Sequence, residues 1–288
     1  MFTKQVIRWL KSFGTLLLPF SGVLFASDVM PEKENLGSWQ GRWIQGALLI
    51  GVAPTDHEVS YQGAELPITS TGHFLVGLSR NASKTAKIAY KRQGKISYHE
   101  SFYVDTRDYE TQIIEGVPQD KVTPPPSALD RIASDSMAVK QARAKITNDE
   151  WFLDGFIRPL EGPITGVYGS HRIYNGIPKQ PHYGIDYAAD EGTTVRAPAG
   201  GIVTLAYDDM YFSGGTIIVD HGHGLSSTFL HLSKILVKPG TYVDRGREIA
   251  EVGSTGRATG PHLDWRMNWR DVRIDPLLVL DALPNRKK

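Results

Sequence analysis

A mainly β protein is what this sequence predicts, and three features carry that prediction. Across residues 39–104, short apolar runs recur about every ten residues with turn residues between them, the spacing of small antiparallel sheets. From Trp151 onward glycine and β-branched residues return, and no helix longer than two turns is evident before Pro276. Near the end, TGPHLDWRMNW (Thr259 to Trp269) alternates polar and apolar side chains. On a strand His262, Asp264, Arg266 and Asn268 share one face, and Leu263, Trp265, Met267 and Trp269 share the other.

Residues 1–26 predict a secretory signal peptide. Lys4, Arg8 and Lys11 precede an apolar run over residues 13–26, shorter than the roughly 20 residues of a membrane span. Cleavage is expected after Ala26, so no stable membrane span is expected in the mature chain. Residues 37–110 predict a small N-terminal β-sandwich, with apolar runs at 47–52, 72–77, 86–90 and 95–98. His57, His73 and His99 are scattered there without ligand spacing and read as surface or satisfied histidines. Residues 111–150 predict a proline-rich connector and a helical linker. Pro118, Pro124, Pro125 and Pro126 stiffen the connector. Ser127 is placed to cap a helix through Leu129, Ile132, Ala133 and Met137 to about Lys145. Residues 151–284 predict a compact β domain, with strands at 201–206, 216–219, 226–230 and 248–252 and turns at Lys238-Pro-Gly240 and Asp244-Arg-Gly246.

The 288 residues carry a net charge of +1, and removing residues 1–26 leaves 29 basic and 31 acidic side chains. That balance argues against a nucleic-acid partner. The chain has no cysteine, so neither a disulfide nor a lipidation cysteine contributes.

The chemistry lies in three segments: His182-Tyr-Gly-Ile-Asp186, His231, and His262-Leu-Asp264. Together they supply three histidines and two aspartates, the side chains a mononuclear zinc hydrolase requires. Gly184 permits a bend between His182 and Asp186. His171, His221 and His223 sit among glycines or turn residues and read as loop residues.

The order and spacing of further motifs identify residues 151–284 as similar to the M23 (LytM or lysostaphin-type) zinc metallopeptidases. They are Gly166-Val-Tyr-Gly-Ser-His-Arg172, the His182–Asp186 segment, Gly192-Thr-Thr-Val-Arg-Ala-Pro198 and Asp220-His-Gly-His-Gly224. His231-Leu-Ser233, Gly253-Ser-Thr-Gly256, Thr259-Gly-Pro-His-Leu263 and Asp275-Pro276 follow. The sandwich, connector and helix also resemble the N-terminal region of exported M23 peptidases of Gram-negative bacteria. The resemblance implies a two-sheet β domain with an open groove and one zinc ion held by His182, Asp186 and Asp264. It implies catalytic roles for His262, as general base, and for His231, which steadies the oxyanion or protonates the departing amine. Tyr168 and Arg172 fall in a segment resembling the groove wall, where they are expected to touch substrate.

One departure stands out. The family closes on His-x-His, whereas this chain reads His262-Leu263-Asp264. Carboxylate is a legitimate zinc ligand, but an oxygen-richer donor set also admits manganese. Two functions of different class are therefore expected. One is an exported zinc metalloendopeptidase of the periplasm or cell envelope that hydrolyses peptide cross-links in peptidoglycan stem peptides. The alternative is a non-catalytic, degenerate domain that binds peptidoglycan or activates another cell-wall hydrolase.

Overall fold

The computed structural model describes residues 38–284; the expected signal peptide, residues 1–26, lies outside the described residues. Strands dominate. In the N-terminal part a three-stranded antiparallel sheet orders Trp39–Gln40, Leu48–Val52 and His73–Gly77. A four-stranded one orders Ala64–Leu66, His57–Tyr61, Thr85–Arg92 and Lys95–Tyr103. Aromatic rings join the two: Trp39 packs edge-on to Phe74 and Phe102, and Trp43 stacks on Phe102 with centroids 3.8 Å apart. Such contacts add to the apolar area the rings remove from water.

The larger sheet carries the predicted chemistry. Its central strands run Gly201–Met210, Gly214–Asp220, Leu225–Ile235, His262–Trp269 and Gly184–Ala188. The alternation read in the closing strand places Leu263, Trp265 and Met267 in the core at 0% exposure. The other face is covered as well, because Asp264 and Asn268 are buried too. The strand lies mid-sheet between Leu225–Ile235 and Gly184–Ala188, so its polar face floors a roofed cavity instead of meeting solvent.

The roof is the helix Leu129–Ala144. Two details of the sequence expectation change here. Ser127 sits in a short 3-10 turn, and no side chain caps the helix. Leu129 and Met137 point away from the protein, and the inward face is Ile132, Asp135, Val139 and Arg143. Polar contacts hold that face: Asp135 accepts from the Tyr211 amide at 2.7 Å, and Arg143 donates to Thr228 Oγ1 at 2.6 Å. The connector before it forms a helical turn, Gln119–Val122, docked by Lys121 Nζ on the Tyr211 carbonyl at 3.0 Å. The Thr111–Ile114 strand pairs in parallel with His171–Tyr174. The chain between the two β regions therefore lies along the large-sheet region.

The two β regions share interactions directly. Arg107 pairs with buried Asp275 at 2.8 Å, and Arg80 donates to the Gly169 carbonyl at 2.7 Å while lying over the Tyr109 ring. Among the described residues no helix is long and apolar enough to cross a membrane.

His221, expected in a loop, is fully buried. Its Nδ1 faces the Gly200 carbonyl at 2.8 Å, so that nitrogen carries the proton, and Nε2 accepts from Ser227 at 2.9 Å. The neutral ring is satisfied on both sides. Burial pushes its pKa down to about 4, against a small opposing effect of the Gly200 bond. Between that value and the ordinary 6.5 the unfolded chain binds the extra proton, so stability falls as pH drops through this window and is complete above it. The expected loss from this group is about 3 kcal/mol between pH 7 and pH 4. Urea melts at both pH values check it: His221→Asn should be less stable at pH 7 yet show a shallower pH slope, and an unchanged slope would reject the assignment.

Candidate metal and catalytic site

Antiparallel pairing builds the centre of the site. Asp186 on Gly184–Ala188 stands directly opposite Asp264 on His262–Trp269, and cross-strand partners present side chains on the same face. His182 enters from the preceding loop, its amide bonded to the Ser170 carbonyl at 2.9 Å. One ligand-type atom from each of His182, Asp186 and Asp264 lies within 4.8 Å of the others, and all three residues are buried. His182 Nε2 and Asp186 Oδ1 approach to 3.1 Å, yet each is buried without a properly formed hydrogen bond. Two orphaned donor atoms converging in this way fit a divalent cation.

Glycine clears the space, for a reason other than the expected bend. Gly184 is an ordinary strand residue, and a Cβ there would fall inside the Asp264 carboxylate. Gly166 is equally constrained by Asp186. Gly184→Ala should therefore displace Asp264, costing about 1–3 kcal/mol of stability and weakening metal binding. Thermal melts with and without added zinc check it: an unchanged metal-induced shift would show that the clearance is not needed.

Each carboxylate also has an arginine. Arg172 Nη2 donates to Asp186 Oδ2 at 2.8 Å. Arg266 grips Asp264 through Nε at 3.0 Å to both oxygens and through Nη2 at 2.5 Å to Oδ2. Burial alone would raise both carboxyl pKa values. For Asp186 the neighbouring His182 and Arg172 outweigh burial, and for Asp264 Arg266 and His182 do, so both are held below the usual range. Both are anionic at neutral pH.

Two imidazoles complete the site. The Leu225–Ile235 strand pairs with His262–Trp269 up to Leu230 and with Glu248–Val252 from Leu232 onward. His231 occupies the changeover with φ +64°, a conformation non-glycine residues adopt infrequently. Its amide bonds to the Ser213 carbonyl at 2.8 Å and its Nδ1 donates to the Thr255 carbonyl at 2.7 Å. His262 Nδ1 likewise faces the Gly260 carbonyl at 2.9 Å. The rings lie 4.8 Å apart, centroid to centroid, and both line the same cavity as the two aspartates. Because a carbonyl only accepts, the neutral rings carry their proton on Nδ1 and keep Nε2 as an acceptor. Burial, then the neighbouring His262, push the His231 pKa down to about 4, with Asp264 pulling the other way.

Of the two residues expected at the substrate wall, Arg172 lines the cavity and Tyr168 does not. Tyr168 is buried, donates its hydroxyl to the Arg273 carbonyl at 2.8 Å and stays out of the cavity lining. Arg172 lines the cavity but is spent on Asp186. His223 packs away from the site, with Nδ1 on the Pro67 carbonyl at 3.3 Å. Sequence reasoning gave no role to Arg266, although its place two residues beyond Asp264 on one strand face was a usable signal. Arg143 carried no such signal, because it arrives from the roof.

The cavity, about 920 Å³, is lined by these groups and by the inward face of the helix, a volume within the usual range for ligand sites. Residues 180–276 match the sequence pattern of Peptidase family M23. The chain is 42% identical over 87 residues to the peptidoglycan DD-endopeptidase ShyA of Vibrio cholerae, a match covering 30% of this chain and 20% of that protein. It is 40% identical over 103 residues to the DD-carboxypeptidase/endopeptidase Mpg of Neisseria meningitidis, covering 36% and 23%. This chain thus spans less than a quarter of the length of these relatives. A crystal structure of a Pseudomonas aeruginosa protein, provisionally assigned as a peptidase M23, superposes with a TM-score of 0.66 at 28% identity, covering 85% of this chain and 97% of that one.

Proposed function

We propose, for a chain whose residues 180–276 match peptidase family M23, that it is an exported metalloendopeptidase cutting peptide cross-links of peptidoglycan. The observation that carries this reading is the convergence of His182 Nε2, Asp186 Oδ1 and the Asp264 carboxylate beside two acceptor imidazoles in one cavity. The sequence relative named a peptidoglycan DD-endopeptidase supplies the substrate class.

His182, Asp186 and Asp264 would hold one divalent cation, zinc or, with two carboxylates in the set, manganese. Bound there, such an ion supplies Lewis acidity and a water acidified to a pKa of about 7. The chain's own residues do the rest. Arg172 and Arg266 fix the rotamers of the two carboxylates, as outer partners of metal ligands do. His262, with Nε2 free to accept, takes the proton of the attacking water. His231 starts neutral at pH 7 and can donate to the departing amine only after gaining a proton. Its burial makes that proton easy to give up.

One observation favours the second reading, a non-catalytic peptidoglycan binder or hydrolase activator. Arg266 engages both oxygens of Asp264 and so neutralises that carboxylate without any metal. Metal analysis of the purified mature chain, followed by digestion of intact sacculi, separates the two. Stoichiometric zinc or manganese with release of peptides supports the enzyme, whereas a metal-free protein that stays empty after reloading and releases nothing supports the binder.

A further inference from the structure

The cavity holds more positive charge than its carboxylates balance. Arg143, Arg172, Lys179, Arg257, Arg266 and Arg273 line it, against Asp135, Asp186 and Asp264. Arg172 and Arg266 are paired with the two central aspartates. Among the described residues the other four make no ion pair with a carboxylate.

Two of those four converge at one end. Thr228 lies opposite Arg266 across one strand pair, and Asn268 lies opposite Arg273 across the next. Arg273 is thus held at the floor's edge, its guanidinium 4.4 Å from the Tyr183 ring centroid. From the roof, Arg143 bonds to Thr228 at 2.6 Å, and its Nε is buried with no partner. Burial, then repulsion from Arg273 and Arg266, lower the Arg143 pKa to about 10. Three guanidinium groups that line this end of the cavity, with a buried N–H unused, leave a place that an anion would complete.

We propose that Arg143 and Arg273, with Thr228 and Asn268 between them, form a subsite for a free carboxylate of the peptide substrate. This rests on the peptidoglycan reading above, whose stem peptides carry carboxylates beyond the bond to be cut. A planar carboxylate matches the guanidinium fork, and its charge offsets the excess in the cavity. The subsite lies along the polar face from the Asp186–Asp264 centre, by way of Arg266. Binding there would set where the chain of the substrate crosses the catalytic groups, a specificity that Asp186 and His262 alone do not provide.

The test uses the mature chain freed of metal by a chelator, so that binding is read without hydrolysis. The probes are a synthetic cross-linked stem peptide with free carboxylates and the same peptide fully amidated, followed by calorimetry. The acid is expected to bind wild type about tenfold more tightly or better. Arg273→Gln should cut that preference to within about twofold, Arg273→Lys should keep part of it, and affinity for the amide should not change. Arg143→Gln should act in the same way, and Arg273→Gln remains informative if loss of Arg143 loosens the helix. Equal binding of acid and amide, no binding of either, or a preference that survives Arg273→Gln overturns the subsite. A surviving subsite in a protein that, reloaded with metal, digests no sacculi would overturn the endopeptidase reading alone.

Discussion

Asp264→Ala is expected to abolish stoichiometric metal binding, whereas Asp264→His keeps or raises it. Without Asp264 only His182 and Asp186 remain of the three converging groups, and two donors hold an ion poorly. The loss should exceed the roughly 10–100-fold attached to an outer partner of a metal ligand. Removing the carboxylate also strands the Arg266 guanidinium, whose pKa is raised, against burial, by Asp264 itself. Breaking a buried pair in this way costs about 3 kcal/mol, towards the lower end here because the Arg266 side chain keeps 29% of its exposure. A double variant, Asp264→Ala with Arg266→Ala, should regain most of that stability and none of the metal. Metal content by mass spectrometry and thermal melts together check the prediction. Full metal and full hydrolysis in Asp264→Ala would remove Asp264 from the ligand set.

The second large effect is at His262. Its ring lies 4.8 Å from that of His231 and its Nδ1 is committed to Gly260, so only Nε2 is free for chemistry. His262→Ala should leave metal content unchanged and lower the turnover of cross-linked peptide by about 10²–10⁴, the usual contribution of a positioned general base. A variant that loses metal together with activity would make His262 a ligand, and one that keeps its turnover would end its role as base.

Much of the closing strand was legible in the sequence. The period of two in His262–Trp269 sorted the polar face from the apolar one before any coordinates, because side-chain direction on a strand is a local property. The same holds for the pairing of His182 with Asp186, which a short loop and a strand keep close. Less legible was the inward face of the Leu129–Ala144 helix. Its apolar spacing pointed to Leu129 and Met137, both 55% exposed, but hydrogen bonds to Tyr211 and Thr228 orient it instead. Polar docking leaves no hydrophobic period to read.

By itself, then, the sequence determined the mainly β class, the order of the motifs and the identity of the five side chains expected at the centre. The class follows from local periodicity, which the chain states directly, and the five side chains follow from the resemblance of its motifs to those of the M23 peptidases. Tertiary structure alone decided that Asp186 faces Asp264, that His231 lies where its strand changes partners, and that Arg266 and Arg143 enter the cavity. The physical reason is sequence separation: those contacts join segments tens of residues apart. Strand register and the packing of the roof set their distances, and no single segment records either.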